Sequence, residues 1–221
     1  MAMQAMGRSI LLILPVLLNI ATPVRMDETK IVETNNDDGL MLWDFTATPA
    51  PDLSEWYEES DVVREPGMSK AVLVIQKSRL FQRAVFFTML NPQPNGAGFA
   101  GYRTNKKTLN LEGYNSLQMR VRGQGENDHY KICLHHMGMN NEPNPTYEQF
   151  FKVPLKQFVN VTLPLDLFKP YYRGREMNIS EVGPLNKSQI TSFGFQIFGG
   201  VYSPGKQSGT SSLEIDWVKA V

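Results

Sequence analysis

The 221-residue chain has one cysteine, Cys133, three histidines and no net charge, its 22 basic residues balancing 22 acidic ones. A single cysteine excludes an internal disulfide framework and any cysteine-rich zinc site. It says little about compartment, because a domain of this size buries enough apolar surface to be stable without cross-links. The charge balance leaves no basic footprint for nucleic acid and no polybasic arm for an anionic membrane. No apolar run reaches the roughly 20 residues that a membrane helix needs. No proline- or serine-rich linker divides the chain, so one folded domain is expected, with no transmembrane segment in the mature chain.

What stands at the start is a short apolar run. Arg8 precedes Ile10-Leu-Leu-Ile-Leu-Pro-Val-Leu-Leu18, and Asn19 with Thr22-Pro23 stops it. A basic flank followed by a short apolar stretch is the pattern of a secretory signal; a mitochondrial presequence, the alternative, interleaves polar residues. The expected division is a signal peptide over 1–21, a polar leader over 22–39 and the folded domain over 40–221. The expected address is the secretory pathway, with the mitochondrion as the alternative. Three sequons fit the first address: Asn160-Val-Thr162, Asn178-Ile-Ser180 and Asn186-Lys-Ser188. Alternation of Val159, Val161 and Leu163 turns Asn160 and Thr162 outward, where a glycan has room.

Period-two alternation recurs along the chain, and helical periodicity is scarce. Leu117, Met119 and Val121 alternate with Gln118, Arg120 and Arg122, and Phe193, Phe195 and Ile197 with Gly194 and Gln196. In the last strand Leu213, Ile215 and Trp217 read as the buried set and Glu214 as exposed. Further strands are expected at 41–45, 71–76, 83–90, 99–103, 130–135 and 147–153. Nine to eleven short strands without intervening helices predict an all-β sandwich of two antiparallel sheets.

Several short motifs, in order, carry a family resemblance. They are Trp56, Ser60-Asp61 and Gly67-Met68-Ser69; Gly98-Phe99-Ala100-Gly101-Tyr102-Arg103; Leu117-Gln-Met-Arg-Val-Arg-Gly-Gln-Gly125; Leu163-Pro164; Arg173-Gly174-Arg175; and Leu213-Glu-Ile-Asp-Trp217. This order resembles the complex I intermediate-associated protein 30 family, whose mitochondrial members help to assemble respiratory complex I without catalysing its chemistry. The resemblance implies a galactose-binding-like jelly roll used as a protein-docking scaffold. Two departures stand out. Gln124 replaces an acidic residue of the family's Gly-Asp-Gly hairpin turn, and Glu65-Pro66 replaces a Gly-Gly pair.

Chemical motifs are few, and each has a structural reading. Gly96 to Gly101 matches the dinucleotide fingerprint in letters, but Tyr102-Arg103-Thr104 continues as a strand where that motif requires a helix. His135 and His136 are strand neighbours and point to opposite faces, so they cannot share a metal. His129 beside Asp128 lacks a nucleophile, and Cys133 reads as a core or edge thiol. No catalytic residue, metal site or cofactor is expected.

Two patches read as binding candidates. In Phe168-Lys-Pro-Tyr-Tyr-Arg-Gly-Arg175, Tyr171, Tyr172 and Arg173 offer rings and a planar donor in a loop; Tyr102 and Arg103 form the second patch. The expected function is that of a non-enzymatic protein-binding accessory module, with complex I intermediates as partners only under a mitochondrial address. A secreted glycan-binding, lectin-like module is the alternative.

Overall fold

The structure, a computed structural model, describes residues 39–63, 67–94, 98–105, 108–202 and 205–221. The expected signal segment, and the expected leader apart from Gly39, lie outside the described residues, as do Glu65-Pro66 and Gly96-Ala97.

Among the described residues thirteen strands form two antiparallel sheets. The six-stranded sheet holds β3 (Lys70–Lys77), β4 (Gln82–Leu90), β13 (Gly209–Ala220), β6 (Ser116–Gly125) and β9 (Val159–Pro164) in that order, with β1 (Leu40–Asp44) also paired to β13. The seven-stranded sheet runs β11 (Arg175–Glu176), β10 (Lys169–Tyr172), β8 (Thr146–Lys152), β7 (His129–His136), β12 (Ile190–Phe198), β5 (Phe99–Thr104) and β2 (Trp56–Glu58). One helical turn, α1 (Ile179–Val182), and three short 3-10 turns join them. The expected all-β sandwich of two antiparallel sheets is what the chain forms.

The core follows from the alternation. Leu117, Met119 and Val121 of β6 face Ile132 and Leu134 of β7 and Phe193, Phe195 and Ile197 of β12, all essentially without exposure. Trp43, Trp56 and Phe193 pack edge-on or tilted against one another, with ring centroids 4.8–6.1 Å apart. The opening motif closes the sandwich edge: the buried Asp61 carboxylate accepts hydrogen bonds from Ser69 N at 2.8 Å, Ser69 Oγ at 2.7 Å and Phe99 N at 3.3 Å.

β13 corrects two expectations. A bulge interrupts its register with β6 between Ile215 and Trp217. One extra residue flips the facing set. Leu213 and Ile215 point inward before the bulge, Val218 and Ala220 after it, and Trp217 turns outward beneath Lys219, only half-buried. Glu214 is not exposed either. It stands on the outer face, where Arg83, Arg122 and Gln124 close over its carboxylate at 2.8, 2.6 and 2.9 Å. Gln124 is therefore no hairpin tip; it lies within β6 and donates to Glu214, where an acid would meet a like charge.

Candidate functional site

Side-chain parity divides the seven-stranded sheet into a core face and an outer face. In β7, Tyr130, Ile132 and Leu134 face the core, while Lys131, Cys133 and His135 face outward. Opposite partners share a face. Cys133 stands across from Glu148 of β8 and Gly194 of β12, and Gly194 stands across from Arg103 of β5. Polar residues of the outer face form a row that is nonetheless buried: Arg103, His135, Lys131, Glu148 and Gln196.

Buried charges need partners, and these have them. Lys131 Nζ lies 2.6 Å from Glu148 Oε2, both side chains only 7% exposed. Burial works against the Lys131 charge, but the Glu148 carboxylate more than offsets it and the amine's pKa is raised. Arg103 Nε sits 3.0 Å from Glu59, and the guanidinium lies 5.0 Å over the Tyr57 ring. Its other nitrogens donate to the Asn140 carbonyl at 2.8 Å and to Asn141 Oδ1 at 3.0 Å. A side chain on residue 194 would place its Cβ 2.8 Å from that of Arg103, so Gly194 leaves the arginine its path across the sheet. Burial pushes the Cys133 thiol far above its ordinary pKa, keeping it a neutral, poor nucleophile.

The row anchors the segment 137–145. Besides the two bonds from Arg103, His135 Nδ1 lies 3.2 Å from the Met139 carbonyl, which can only accept, so that nitrogen carries the proton. Thr191 Oγ1 donates to Asn140 Oδ1 at 2.6 Å. The anchored segment presents Glu142, which grips Arg173 through both carboxylate oxygens, at 2.7 and 3.3 Å.

Arg173 belongs to a hairpin, not the expected loop. Tyr171 pairs with Glu176 and Tyr172 with Arg175, leaving Arg173 and Gly174 as a two-residue turn with φ of 50° and 77°. Positive φ at both positions is the type I′ turn that suits strand twist. Tyr171 is half-buried, its ring edge-on to Phe150 at 5.4 Å and its hydroxyl donating to Glu176 at 3.1 Å. Burial, and then the Glu176 carboxylate, push its pKa up to about 12. Arg173 lies 5.3 Å over Tyr172, and Arg175 lies 4.8 Å over Tyr202. The result is a surface platform of Tyr172, Arg173, Arg175 and Tyr202, with Tyr171 set apart against Phe150, which in turn packs on Phe198.

Tyr172 and Arg173 thus come together, while Tyr171, the preceding residue of β10, turns to the opposite face against Phe150; Tyr102 and Arg103 part as well. Neighbours in β5, they point to opposite faces: Arg103 is 4% exposed beneath the 137–145 segment, and Tyr102 faces the other side of the sheet, against the core. Phe150, Tyr202 and Glu142 were missing from the binding candidates read in the sequence. The doublet Phe150-Phe151, one ring outward and one inward, was a usable signal. The sequon side chains are all at the surface or half-exposed. Asn160 is exposed on β9; Asn178 and Asn186 cap α1 and a 3-10 turn, accepting from Ser180 N and Ser188 N. Among the described residues no group of three or more His, Cys, Asp or Glu is arranged to hold a metal, and no helix is long and apolar enough to cross a membrane.

A family model described as complex I intermediate-associated protein 30 matches residues 43–215. Comparison with curated protein sequences finds no match. Among solved structures, the chain is similar to the family 11 carbohydrate-binding module of a Clostridium thermocellum cellulosomal cellulase, Lic26A-Cel5E: TM-score 0.56 and 14% identity over 83% of this chain and 94% of that one. The Clostridium thermocellum module in complex with a β-1,3-1,4-mixed-linked tetrasaccharide gives TM-score 0.56 and 13% identity over 83% and 95%. An exo-β-agarase gives 0.52 and 10%, with 82% of this chain covering 24% of that protein. At such identities the likeness is one of fold.

Proposed function

The chain belongs to the complex I intermediate-associated protein 30 family, and from that membership we propose that it is an accessory module that binds a protein partner and performs no chemistry on it. One observation carries the reading: Tyr172, Arg173, Arg175 and Tyr202 form an exposed aromatic and arginine surface on a tight hairpin, and Glu142 on an anchored segment holds it in place. Tyrosine and arginine dominate binding energy at protein interfaces. A pre-organised turn limits the entropy lost on docking.

Compartment decides the partner. The apolar run Ile10 to Leu18 supports secretory entry, with the mature chain beginning near Thr22 to Asp27, glycans on Asn160, Asn178 and Asn186, and a partner outside the mitochondrion. A mitochondrial address makes complex I intermediates the partners. The second reading is a glycan ligand. It is favoured by the Phe150 ring on the outer sheet face, with Tyr171 at 5.4 Å on it and Phe198 at 5.1 Å, beside the paired charges of Lys131 and Glu148.

The test is a Tyr172→Ala, Arg173→Ala double variant, made in the full chain after N-terminal sequencing and localisation of the native protein. An unchanged melting temperature with loss of the co-purifying protein supports the reading. A stable variant that keeps every partner refutes it. Retention of the wild type on a glycan array, abolished by Phe150→Ala with an unchanged melting temperature, supports the glycan reading instead.

A further inference from the structure

The six-stranded sheet has an open edge at β3. Among the described residues no strand pairs with its outer side, and it is the longest such edge. β2 has three residues and β11 two, while β9 ends in Pro164 and turns Asn160 and Thr162 outward. Natural edges are usually short, bulged or charged along their length. β3 keeps an unbroken register with β4 from Lys70 to Lys77, and its charges sit at those two ends.

The backbone of β3 is ready to pair. Ala71 N donates to Glu58 Oε1 at 2.9 Å, so the Ala71 N–H points away from β4. In an antiparallel pair such groups alternate. Leu73 and Ile75 therefore also present N–H and C=O outward, and no hydrogen bond reaches either N–H among the described residues. Beside this edge lies an apolar surface. Val72, Val74, Phe87 and Met89 are 39, 44, 44 and 48% exposed, where single exposed apolar residues are ordinary and a contiguous group marks an interaction site.

We propose that β3 receives an extended segment of another protein as an added antiparallel strand. The segment carries acidic residues at its N-terminal end, β-branched residues in the middle and a large apolar side chain at its C-terminal end. The order follows from the two ends of β3. Lys77 and the exposed Arg79 stand at its C-terminal end, where an antiparallel partner begins; no ion pair engages either among the described residues. At the N-terminal end Lys70 is already paired with Glu58, and an open cleft of about 390 Å³ lies among Glu58, Lys70, Ala71, Val72, Phe87, Met89 and Tyr102. That cleft takes the apolar side chain. A second copy of the chain does not fit: antiparallel pairing of β3 with itself brings the Lys70 end of one copy to the Lys77 and Arg79 end of the other, so basic residues gather where the edge calls for acidic ones. This surface lies on the other sheet from the tyrosine platform and stands independently of it.

The probe is a synthetic peptide of two aspartates, alternating valine and threonine, and a terminal phenylalanine, added to the full chain. Expected results are slowed amide exchange at Leu73 and Ile75, and affinity weakened about tenfold by Ile75→Pro, which deletes one edge N–H at a position where an edge strand tolerates proline. Should that variant fail to fold, Lys77→Glu serves instead: it is expected to remove the preference for the aspartate peptide over one carrying two lysines. Equal binding to both peptides by the wild type, protection elsewhere, no binding at millimolar peptide, or protection of Leu73 and Ile75 produced by raising protein concentration alone would each overturn the proposal.

Discussion

Lys131→Met isolates the physics of the polar row on the outer sheet face. At an effective dielectric of about 20, unit charges about 4 Å apart attract by about 4 kcal/mol. Burying both ions costs several kcal/mol each, so the intact pair contributes little beyond what an apolar pair of equal volume would. Breaking it is different. With methionine at 131, the Glu148 carboxylate remains 7% exposed without its countercharge, and the expected loss is about 3–5 kcal/mol. The double variant Lys131→Met, Glu148→Leu removes both charges, and the methionine packs against Phe150 and Phe198, whose ring centroids lie 5.6 and 5.9 Å from Lys131 Nζ. It is expected within about 1 kcal/mol of wild type or above it. Urea midpoints at an unchanged slope measure both. A single variant losing under about 1 kcal/mol would show the pair to be hydrated. A double variant as unstable as the single one would show that packing, not charge, governs the site.

Two further outcomes follow from particular side chains. Because the bulge turns Val218 inward and Trp217 outward, Val218→Ala is expected to cost about 2–3 kcal/mol, from two lost methyl groups and the cavity they leave; chemical denaturation of both variants should find Trp217→Ala the milder, and the reverse order would misplace the bulge. His135 is held neutral, its pKa lowered to about 4 first by burial and then by the Arg103 charge. The unfolded chain takes up a proton near pH 6.5 and the fold resists it, so this stability is complete above about pH 6.5 and erodes towards pH 4, by about 3 kcal/mol. His135→Gln should flatten that part of a stability–pH curve, and parallel curves for the two proteins would contradict it.

The fold was legible where burial follows simple alternation. Leu117, Met119 and Val121 read as core and are core, because a half-buried strand leaves its signature residue by residue. The bulge was not legible: Leu213, Ile215 and Trp217 satisfy the pattern, and only pairing with β6 reveals the extra residue. β10 and β11 read as a loop because Pro170 and Gly174 look like breakers. Pro170 is tolerated because β11 pairs only with Tyr171 and Tyr172: past that pairing the Pro170 carbonyl accepts from Met177 N at 2.8 Å, and the missing N–H costs one bond at the sheet edge. The platform was half legible. Tyr171, Tyr172 and Arg173 are contiguous, whereas Glu142 and Tyr202 arrive from distant segments. Lys131, His135 and Glu148 stand on the outer face of their strands; that loops and neighbours bury them depends on tertiary packing, which no local pattern carries.

β13 gives the domain a timing problem. It is the last of the described strands in chain order, yet it borders β4 and then β1 along one side and β6 along the other. Until residues 209–220 leave the ribosome, three strands made earlier face a vacant lane, with ladder groups unmet and core faces uncovered. Folding of the six-stranded sheet is thereby deferred until β13 has emerged, and the waiting chain exposes apolar surface and unpaired strand edges. A premature stop shortly before Gly209 removes no expendable tail: it deletes the member that joins β1, β4 and β6 into one sheet.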